Sequence, residues 1–578
     1  MPSMENRDLA HIFKEIADLL QILDGNPFRI RSFQRAAQLI DNASFNIAQA
    51  VQDNVKRVKS IQGVGAGTIS KIEEIIQSGD CQEHRKLLAK VPATLLELLR
   101  VPNLGPKKIG LFWKELGVTT VEELEKAARL GQLRGLPKMG EKSEAKILKA
   151  VEGMRDTEKR YRLDDGREVS QSLMGYLKEN VPVTRIAGAG SSRRWKETVG
   201  DIDILVSCQQ PLQVIDCFVH HPDVKEILVQ GETKASVVLR RGLQADLRVL
   251  EDDSFGAALQ YFTGSKEHNV ALRERAKRMG YKINEYGVFR LEDEQKVAGK
   301  DEDEMYRVLG LAPMPPEIRE NRGEIEEAEE GRVPDLVEVS DIRGDLHMHT
   351  TASDGRDSIE AMARAAIEKG YQYIAITDHS KALAMTGGLN EEQLLEHCND
   401  IDEVDARIPE IAILKGIEVD ILAEGQLDLR DDALEQLDVV VASVHSRFNL
   451  SRDQMTDRIC RALEHPLVHI LGHPTGRLLT KRDPYQLDIE KIIRTAVENR
   501  VCLEINAHPA RLDLKDVHCL MAREMGALIS INCDSHDTRM FRYLPYGVYT
   551  ARRAWLSSED VINTYPLKRL RRVLEKKE

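Results

Sequence analysis

The stretch GDLHMHTTASDG, residues 344–355, joins a short apolar run to three side chains that can bind a metal, His347, His349 and Asp354. Similar apolar, β-branched runs recur through residues 339–578, and each one ends in polar side chains of metal-ligand type. In chain order the runs are GDLHMH, YIAITDHS, AILKGIEVD, LDVVVASVHS, LVHILGHP, VCLEINAHP and ALISINCDSHD. The pattern predicts seven β-strands with polar ends.

Helical patterns such as SIEAMARAAIEKG and DIEKIIRTAVENR lie between several of these runs. Alternating strands and helices predict a parallel sheet, and seven such units favour a closed, distorted (β/α)7 barrel. In barrels of this kind the functional side chains lie at the C-terminal ends of the strands. The candidate metal ligands at those ends are His347, His349, Asp354, His379, Glu418, His445, His473, Asp534 and His536.

Nine nitrogen and oxygen ligands are too many for one ion and fit a cluster of two or three. Zinc, manganese and iron all suit this donor set. Such a cluster can generate hydroxide at neutral pH and bind a phosphate, which predicts a phosphoesterase. His469 lies inside the apolar run LVHIL and is predicted to pack in the interior. Glu504 and His508 in EINAHP are left outside the predicted ligand set.

A second cluster of carboxylates lies upstream, in RIAGAGSSRRWKETVGDIDILV at residues 185–206. DIDILV is typical of a strand, and alternate side chains of a strand share a face, so Asp201 and Asp203 are predicted to project together. The run LQADLRVLE predicts another strand, which contributes Asp246. Three carboxylates on neighbouring strands can hold two magnesium ions, the arrangement used for two-metal phosphoryl transfer.

The turn that precedes these aspartates has the features of a phosphate site. Gly190 and Ser191 begin the turn, and its backbone N–H groups and hydroxyl can bind a triphosphate. Arg194 supplies a forked cation for phosphate oxygens. The alternative, a pair of surface aspartates at a strand end, does not account for the glycine–serine turn and the arginines at this spacing.

The N-terminal part of the chain is the basic part. Residues 1–160 contain 26 Lys and Arg against 21 Asp and Glu, a net charge of +5, although the whole chain has a net charge of -13. Three glycine-containing turns, at 61–72, 101–112 and 133–148, separate helical patterns there. Such turns leave N–H groups at helix starts that can bind a phosphate, whereas plain helix capping by glycine is the alternative. These segments resemble helix-hairpin-helix motifs.

The two stretches GSSRRWKETVGDIDILV and ADLRVL together resemble the active-site signature of family X DNA polymerases in the nucleotidyltransferase superfamily. YFTGSKEHNVALRERAKRMGYKINEYGVF, residues 261–289, resembles the nucleotide-binding region and thumb of that family. The resemblance implies catalytic carboxylates at Asp201, Asp203 and Asp246. It implies nucleotide contacts at Gly190, Ser191, Arg194, Tyr261, Phe262, Gly264 and Asn269, and a template contact at Arg273. Trp195 departs from the pattern, because relatives usually have a small residue there, and is expected to crowd the phosphate turn.

The first 90 residues resemble the small lyase-type domain of the same family. The Schiff-base lysine of that domain falls at Lys71, but Gly67 replaces its second lysine and Phe33 its upstream tyrosine. Lys71 is therefore expected to contact phosphate rather than to act as a lyase nucleophile. The candidate DNA-binding residues are Gly63, Gly65, Lys71, Gly105, Lys107, Lys108 and Arg273.

The nine-ligand constellation resembles the PHP (polymerase and histidinol phosphatase) domain, with all nine expected positions filled. The resemblance thus covers nearly the whole chain. It implies a gap-filling repair polymerase whose PHP domain is a manganese-dependent 3′–5′ exonuclease. The implied substrates of the exonuclease are primer 3′ ends, including abasic or blocked ends. It implies Mg²⁺ or Mn²⁺ at the polymerase site and two or three Mn²⁺ or Zn²⁺ ions at the PHP site. The expected partners are gapped or nicked DNA, primer 3′ ends and dNTPs.

The expected architecture is multidomain, with helical helix-hairpin-helix domains, an α+β palm and thumb, and a C-terminal α/β barrel. The expected boundaries are a lyase-like domain at 1–90, a fingers-like domain at 91–158, a palm at 159–252, a thumb at 253–316, an acidic linker at 317–338 and a PHP domain at 339–578. A solvated helix is the alternative to the linker, because the segment is acidic and lacks aromatic residues.

Composition excludes some classes of protein. No run approaches the roughly 20 apolar residues of a membrane span. The eight cysteines contain no CxxC pair, which favours reduced thiols in a cytoplasmic protein, with a monomer as the default state. Two other functions stay open: a small-molecule phosphatase with a vestigial polymerase half, and a non-catalytic scaffold for DNA ends.

Overall fold

The structure is a computed structural model that describes residues 6–41, 43, 47–53, 55–59, 63–101, 104–137, 139–153 and 160–576. The chain divides into two compact units, Met1–Lys159 and Arg160–Glu578. Within the described ranges, no helix has the length and hydropathy needed to cross a bilayer.

The first unit is helical, as the sequence predicts. Its helices are α1 (Asn6–Ile22), α2 (Pro27–Asp41), α3 (Ile47–Asp53), α4 (Val55–Lys59), α5 (Ala66–Ser78), α6 (Gln82–Leu88), α7 (Pro106–Leu116), α8 (Val121–Arg129) and α9 (Glu141–Gly153), with 3-10 helices at Ala93–Arg100 and Leu133–Gly135. The apolar faces of α1 and α2 meet at Phe13 and Phe33, whose ring centroids are 5.9 Å apart. The three glycine-containing turns precede α5, α7 and α9, so each turn leads into a helix start.

The second unit begins with a mixed sheet. Its elements are β1 (Tyr161–Arg162), α10 (Leu163–Asn180), β2 (Arg185–Gly188), α11 (Gly190–Arg193), β3 (Thr198–Val199), β4 (Asp201–Ser207), α12 (Pro211–Val219), β5 (Val224–Gln230), β6 (Lys234–Leu239) and β7 (Gln244–Leu250). The five-stranded palm sheet has the order β2-β4-β7-β6-β5, and β1 pairs separately with β3. Ile202, Ile204 and Val206 of β4 are buried in an apolar core, so the alternating Asp201 and Asp203 face the other way.

The next segment is a helical layer with a small sheet. It contains α13 (Phe255–Thr263), α14 (Lys266–Arg278), β8 (Tyr281–Asn284), β9 (Gly287–Arg290), β10 (Lys296–Ala298) and α15 (Glu302–Val308), with a 3-10 helix at Asp252–Ser254. The three strands form an antiparallel sheet in the order β10-β9-β8. Met305 and Tyr306 of α15 are fully buried against this layer.

The acidic segment 317–338 is packed, in contrast to the solvated linker or helix expected from its composition. It holds a 3-10 helix at Pro316–Ile318 and α16 (Glu324–Glu329), and Glu320 and Glu324 are buried. A buried carboxylate requires a partner of opposite charge or a hydrogen bond. Glu324 accepts from the backbone N–H groups of Asn321 and Arg322, which supply that compensation.

The remaining residues form a barrel of parallel strands, as predicted. The strands are β11 (Gly344–Asp345), β12 (Tyr373–Ile376), β13 (Ala412–Asp420), β14 (Val439–Ser443), β15 (Ile470–Leu471), β16 (Cys502–Asn506) and β17 (Ile529–Asn532). They lie side by side in chain order, and every pair is parallel. A bridge between Met348 and Ser535 joins the ends of the first and last strands, so the barrel is nearly closed.

Helices alternate with these strands and follow the last of them. They are α17 (Ile359–Glu368), α18 (Glu391–Arg407), α19 (Asp431–Leu434), α20 (Arg452–Leu463), α21 (Ile489–Glu498), α22 (Asp516–Glu524), α23 (Leu544–Arg553) and α24 (Leu567–Leu574). Single-turn or short 3-10 helices lie at Val339–Asp341, Ala384–Thr386, Thr538–Tyr543, Ser558–Asp560 and Ile562–Thr564. We refer to residues 344–576 as the barrel domain.

Candidate metal centres

The nine predicted ligands of the barrel domain lie together at one rim. Parallel strands end on the same side of a barrel, so side chains that follow successive strands converge there. His347 and His349 follow β11, His379 follows β12, and Glu418 lies in β13. The others follow later strands: His445 after β14, His473 after β15, and Asp534 and His536 after β17, while Asp354 lies in the loop after β11.

Glu418 is at the centre of the constellation and is only 1% exposed. Its Oε1 lies 3.0 Å from His473 Nε2 and 3.3 Å from His445 Nε2. Its Oε2 lies 2.9 Å from His379 Nδ1. One carboxylate therefore touches imidazoles from three different strand ends, which is the geometry of a bridging ligand.

The donor atoms fall into three close groups, each with all its atoms within 4.8 Å of one another. They are His349, Asp354, His379 and His536; His347, His349 and Asp534; and His379, Glu418 and His445. Because His349 and His379 belong to two groups each, the groups form one continuous cluster. His473 adds a contact to Glu418 from outside these groups.

Several donor atoms in this cluster are buried without a hydrogen bond of good geometry. They include both carboxylate oxygens of Glu418, Nε2 of His347 and Nδ1 of His473. An unsatisfied buried polar atom is costly, and a charged one more so. Cations bound among these atoms would satisfy them, so the residues fit divalent metal ions.

The electrostatics of the cluster also suit cations. Burial disfavours charge on Glu418, but the neighbouring His445 and His347 hold its pKa well below the usual range. Burial lowers the pKa of His349 to about 4, and repulsion from His379 and His536 adds to this effect. Against the effect of burial, Glu418 raises the pKa of His445 to about 10 and Asp354 raises that of His536 to about 9. The carboxylates thus attract positive charge into the cluster, and a bound metal ion would replace the protons on these imidazoles.

Two carboxylates support the cluster without belonging to the predicted ligand set. Glu504, in the middle of β16, lies 2.7 Å from His347 Nδ1 and accepts from the backbone N–H of His473 at 2.6 Å. Asp420 lies 3.3 Å from His445 Nδ1. Carboxylates in such positions orient ligand imidazoles and raise their basicity. The sequence carried a signal for Asp420, which is the last residue of β13, whereas Glu504 lies within β16.

The two histidines left outside the ligand set lie apart from the close groups. His469 Nδ1 accepts from the backbone N–H of Val440 at 2.9 Å, and burial lowers its pKa to about 4. The ring of His508 packs edge-on against Tyr543, with centroids 5.0 Å apart. These contacts give both side chains structural roles.

The three aspartates of the palm sheet also lie together. β4 and β7 are parallel neighbours, and their register places Asp203 directly beside Asp246. Asp201 shares the face of Asp203 and is exposed at the strand start. Asp246 is oriented by Ser236, whose hydroxyl donates to Oδ1, and by Gln244, whose amide donates to Oδ2 at 3.0 Å.

Burial and mutual repulsion both disfavour negative charge on this aspartate group, so the group fits cations. Burial raises the pKa of Asp203 to about 7, and the charges of Asp201 and Asp246 contribute to the increase. Bound cations would remove this penalty. Among the described residues, the three aspartates do not form a group as close as those of the barrel.

The palm turn, defined as residues 190–197, lies beside the aspartates. Gly190 has φ +66°, and a Cβ there would lie 2.2 Å from Oδ2 of Asp203. Only glycine allows this approach, so the turn and the carboxylate are in direct contact. Arg194 Nε donates to Glu320 Oε1 at 3.1 Å, its Nη1 donates to the Thr263 carbonyl oxygen, and Ser191 is half-buried.

The other predicted nucleotide contacts lie on α13 and α14. The rings of Tyr261 and Phe262 meet edge to face at 5.1 Å, and the Arg248 guanidinium lies 4.4 Å from the Phe262 centroid. Asn269 Nδ2 donates to the Tyr261 carbonyl oxygen at 2.7 Å. Gly264 ends α13 beside Arg194, and Arg273 is exposed on α14. The structure therefore brings Tyr261, Phe262 and Asn269 into one layer.

Trp195 packs against the barrel domain. It has φ +54°, and its ring stacks on Tyr549 of α23 at 3.8 Å between centroids with an interplanar angle of 5°. The Trp195 side chain, which is expected to crowd the phosphate turn, thus stacks on Tyr549, a residue far away in the sequence.

The predicted DNA-binding residues of the first unit surround helix starts. Gly65 and Gly105 are the N-cap residues of α5 and α7. Gly63 precedes α5 with φ +107°, a conformation that favours glycine. Lys107 is exposed and Lys108 half-buried in the first turn of α7. Lys71 Nζ lies 5.7 Å from the Phe33 ring and 3.5 Å from the Gly67 carbonyl oxygen.

Family models match four parts of the chain. They describe a helix-hairpin-helix domain at residues 4–81, a SAM-like helix-hairpin-helix tandem at 95–152, a DNA polymerase beta thumb at 258–320 and a PHP domain at 345–508. The matched ranges include most of the first unit, the segment between the two clusters of candidate ligands, and the barrel domain as far as residue 508.

One relative matches nearly end to end. A protein named DNA polymerase/3′-5′ exonuclease PolX, from Bacillus subtilis (strain 168), is 37% identical over 567 residues, which is 98% of each chain. The chain belongs to the family X DNA polymerases with a C-terminal PHP domain. Membership of this family, together with the close ligand groups, implies dependence on divalent metal ions.

Other relatives match the barrel domain alone. A probable phosphatase of Thermoanaerobacter sp. (strain X514) is 32% identical over 231 residues, which is 38% of this chain and 89% of the relative. A probable phosphatase of Syntrophotalea carbinolica is 25% identical over 229 residues, with 38% and 90% coverage. The PHP barrel thus also occurs without the polymerase segments found in this family X chain.

Proposed function

We propose that the chain is a DNA repair polymerase that fills short gaps by template-directed dNTP addition and carries a separate metal-dependent 3′–5′ exonuclease in its PHP barrel. The observation that supports it best is the presence of two complete and distinct donor sets. Asp201, Asp203 and Asp246 lie beside a glycine turn, while the histidine-rich cluster lies at the barrel rim.

In the palm, the three aspartates would hold two Mg²⁺ or Mn²⁺ ions. When bound, such ions lower the pKa of the attacking hydroxyl and stabilise the leaving pyrophosphate. The chain itself supplies the substrate contacts. Gly190 and Ser191 would bind the triphosphate through the turn, and Arg194 would neutralise it.

The remaining polymerase contacts position the sugar and base of the nucleotide. Tyr261, Phe262 and Gly264 would contact the sugar, and Asn269 the base edge. Arg273 is exposed on α14 and would contact the template strand. These residues hold the nucleotide in line with the primer end, and such orientation is a large part of catalysis.

In the barrel, the nine candidate ligands His347, His349, Asp354, His379, Glu418, His445, His473, Asp534 and His536 would hold two or three Mn²⁺ or Zn²⁺ ions. When bound, such ions supply a hydroxide at neutral pH and withdraw charge from a phosphodiester. Glu504 and Asp420 would fix the orientation of His347 and His445. The substrate would be a primer 3′ end, including abasic or blocked ends.

The first unit would bind the backbone of gapped or nicked DNA. Helix starts at Gly65 and Gly105, followed by Lys71, Lys107 and Lys108, offer N–H groups and positive charge for phosphates. Counterion release then makes the affinity fall with salt. We expect a monomer in the cytoplasm, with Lys71 as a phosphate contact.

A phosphatase is the second candidate for the barrel, and the probable phosphatases that match this domain support it. Hydrolysis of a phosphomonoester at a rate above that on a labelled primer would favour it. A non-catalytic scaffold for DNA ends is the third candidate, and it requires the loss of ligands from one of the two sites.

The proposal is tested with a gapped duplex whose primer is labelled at its 5′ end, incubated with Mg²⁺ or Mn²⁺. With dNTPs the primer should lengthen by the gap size, and without dNTPs Mn²⁺ should shorten it from the 3′ end. A primer of unchanged length under all four conditions would contradict the proposal. A matched duplex without a gap is the control for gap preference.

A further inference from the structure

The barrel domain contacts the palm turn at three of its residues. Arg553 Nη1 donates to the carbonyl oxygen of Arg194 at 2.7 Å. The Trp195 ring stacks on the ring of Tyr549. Glu197 forms an ion pair with Arg477 Nη2 at 2.8 Å. The turn that would bind the triphosphate is therefore held from outside the palm.

The Trp195 ring is enclosed on both faces. The Arg167 guanidinium of α10 lies 3.6 Å from the ring centroid, and the Tyr549 ring lies 3.8 Å from it. Two groups that close to one centroid must occupy opposite faces. Tyr546 adds an edge contact at 5.6 Å. The ring is thus held between a cation and a second aromatic ring, and both kinds of contact are attractive, so they fix the end of the turn.

Arg553, on the same helix as Tyr549, contacts the surroundings of Arg194, the residue that would bind the triphosphate. It is 3% exposed and donates to Glu320 Oε1 at 3.0 Å and to Asp516 Oδ2 at 2.6 Å. Arg194 donates to the same oxygen of Glu320. Glu320 is thus shared between a barrel arginine and Arg194, and its charge is already compensated by the barrel.

The shared carboxylate bears on nucleotide affinity. With Arg553 in place, Glu320 has two guanidinium partners. Arg194 can then release Glu320 and bind a triphosphate, because the buried Glu320 carboxylate remains paired with Arg553. Without Arg553, Glu320 would keep Arg194 as its guanidinium partner and Lys196 Nζ at 3.6 Å from its other oxygen. Breaking the Arg194 pair would then leave the buried carboxylate with much weaker compensation. Arg194 would then bind phosphate less readily.

We propose that α23 of the barrel domain is part of the nucleotide site, with Arg553 and Tyr549 as positioning residues that hold the palm turn and free Arg194 for the triphosphate. This inference rests on the proposed function of the palm. The turn meets Asp203 at Gly190, whereas the barrel domain contacts the turn at Arg194, Trp195 and Glu197. Loss of the contacts should therefore raise the KM for dNTP and leave kcat nearly unchanged.

The experiment compares full-length variants on a gapped primer with Mg²⁺. Arg553→Lys keeps the charge beside Asp516, but a single amine cannot reach all four acceptors, which also include the Glu317 carbonyl oxygen at 3.4 Å. Its matched control is Arg322→Lys, because Arg322 pairs with the same oxygen of Asp516 at 3.1 Å through a contact that does not involve the backbone of the turn. Tyr549→Ala removes the stacking ring, and Tyr549→Phe restores it.

We expect Arg553→Lys and Tyr549→Ala to raise the KM for dNTP by about tenfold or more, with kcat within about threefold of the unaltered chain. Arg322→Lys and Tyr549→Phe should stay within about twofold in both parameters. Manganese-dependent shortening of the primer should be retained in all four, which reports a folded barrel. If Arg553→Lys fails to fold, the Tyr549 pair decides the question.

Two results would overturn the inference. An unchanged KM in Tyr549→Ala and Arg553→Lys would mean that the turn needs no support from α23. An equal rise in KM in Arg322→Lys would mean that docking of the domains matters, and not the contacts with the turn.

Equilibrium binding of labelled dATP with Mg²⁺ to the chain and gapped DNA separates this inference from the proposed function. If the unaltered chain binds dATP but extends no primer, the polymerase proposal fails and the inference is judged on the dissociation constants of the same four variants. If the unaltered chain does not bind dATP, both fail.

Discussion

The two metal centres of this chain differ in donor type and in exposure. The palm centre uses oxygen atoms alone, and Asp201 is exposed at the start of its strand. The barrel centre mixes imidazoles with carboxylates, and Glu418 is buried at its middle. Magnesium prefers oxygen ligands and keeps several waters, whereas zinc and manganese accept nitrogen. An open oxygen site suits ions that arrive with a nucleotide, and a buried mixed site suits resident ions.

The centres also differ in what holds them together. The barrel ligands come from strand ends of one closed sheet. The residues around the palm turn come from separate segments joined by ion pairs: Arg193 donates to both carboxylate oxygens of Glu302, at 2.8 and 2.7 Å, and Arg319 shares that carboxylate. Loss of ion pairs should therefore damage the polymerase site and spare the barrel.

The largest expected effect is at the centre of the barrel cluster. Glu418→Gln removes the charge that bridges three imidazoles, so we expect manganese-dependent primer shortening to fall by about a thousandfold, or ~4 kcal/mol of transition-state stabilisation. Nucleotide incorporation should stay within about twofold. Rates on a labelled gapped duplex measure both. Glu424→Gln, an exposed position after β13, is the control, and an equal loss in both activities would break the comparison.

The ion pairs of the palm give the next largest effect. Arg319 and Arg193 hold the pKa of Glu302 at about 2 against the effect of burial. A depressed carboxylate pKa stabilises the fold above the unfolded value near 4.5, and the contribution is lost as pH falls from there through about 2. Glu302→Gln should thus cost roughly 3 kcal/mol at pH 7 and progressively less below about pH 4.5.

Urea unfolding at several pH values measures the cost of Glu302→Gln. Glu304→Gln, exposed on the same helix, is the control and should be neutral. Primer shortening by the folded Glu302→Gln protein should remain, because the barrel does not use this pair. A stability loss that grows toward low pH would contradict the expected direction of the pH dependence.

A smaller effect is expected from the carboxylates behind the barrel ligands. Asp420→Asn weakens the orientation of His445, so we expect metal affinity and primer shortening to fall by about 10- to 100-fold. Titration of the metal-free chain with Mn²⁺ measures the affinity. Asp432→Asn, exposed on α19, is the control. An unchanged affinity would mean that the strand ends alone fix the imidazoles.

The smallest effect concerns DNA binding by the first unit. Lys107→Ala should reduce the slope of log affinity against log salt by about one and weaken binding to a gapped duplex a few-fold. In Lys107→Ala, nucleotide incorporation and primer shortening should fall together at low DNA concentration, whereas a variant of either metal centre should lose only one of them. Lys114→Ala, at the other end of α7 and paired with Asp24, is the control. Loss of only one activity would show that Lys107 serves a single site.

The barrel, and the convergence of the candidate ligands at one rim, could be predicted from the sequence because each strand and its polar end form a short continuous pattern. Strands of a parallel sheet end at one rim, so His347, His379 and His445 had to meet if the runs before them were strands. Asp203 and Asp246 follow the same logic in the palm. Glu504 was left outside the predicted ligand set together with His508, because its place inside the strand VCLEINAHP does not show that its carboxylate reaches His347.

Other features depend on contacts that no local pattern reveals. The partner of Trp195 is Tyr549, and the partners of Glu320 include Arg553, in each case far along the chain. For the same reason, composition could not distinguish a solvated acidic linker from one whose charges are paired. Arg319 and Arg322 find their carboxylates, Glu302 and Asp516, outside the segment.

The most direct test of two independent metal centres uses two double variants on a labelled gapped duplex with Mn²⁺, with and without dNTPs. Asp201→Ala with Asp203→Ala should abolish incorporation and retain 3′ shortening. His347→Ala with His349→Ala should abolish shortening and retain incorporation. Loss of both activities in either folded double variant would contradict the independence of the two sites.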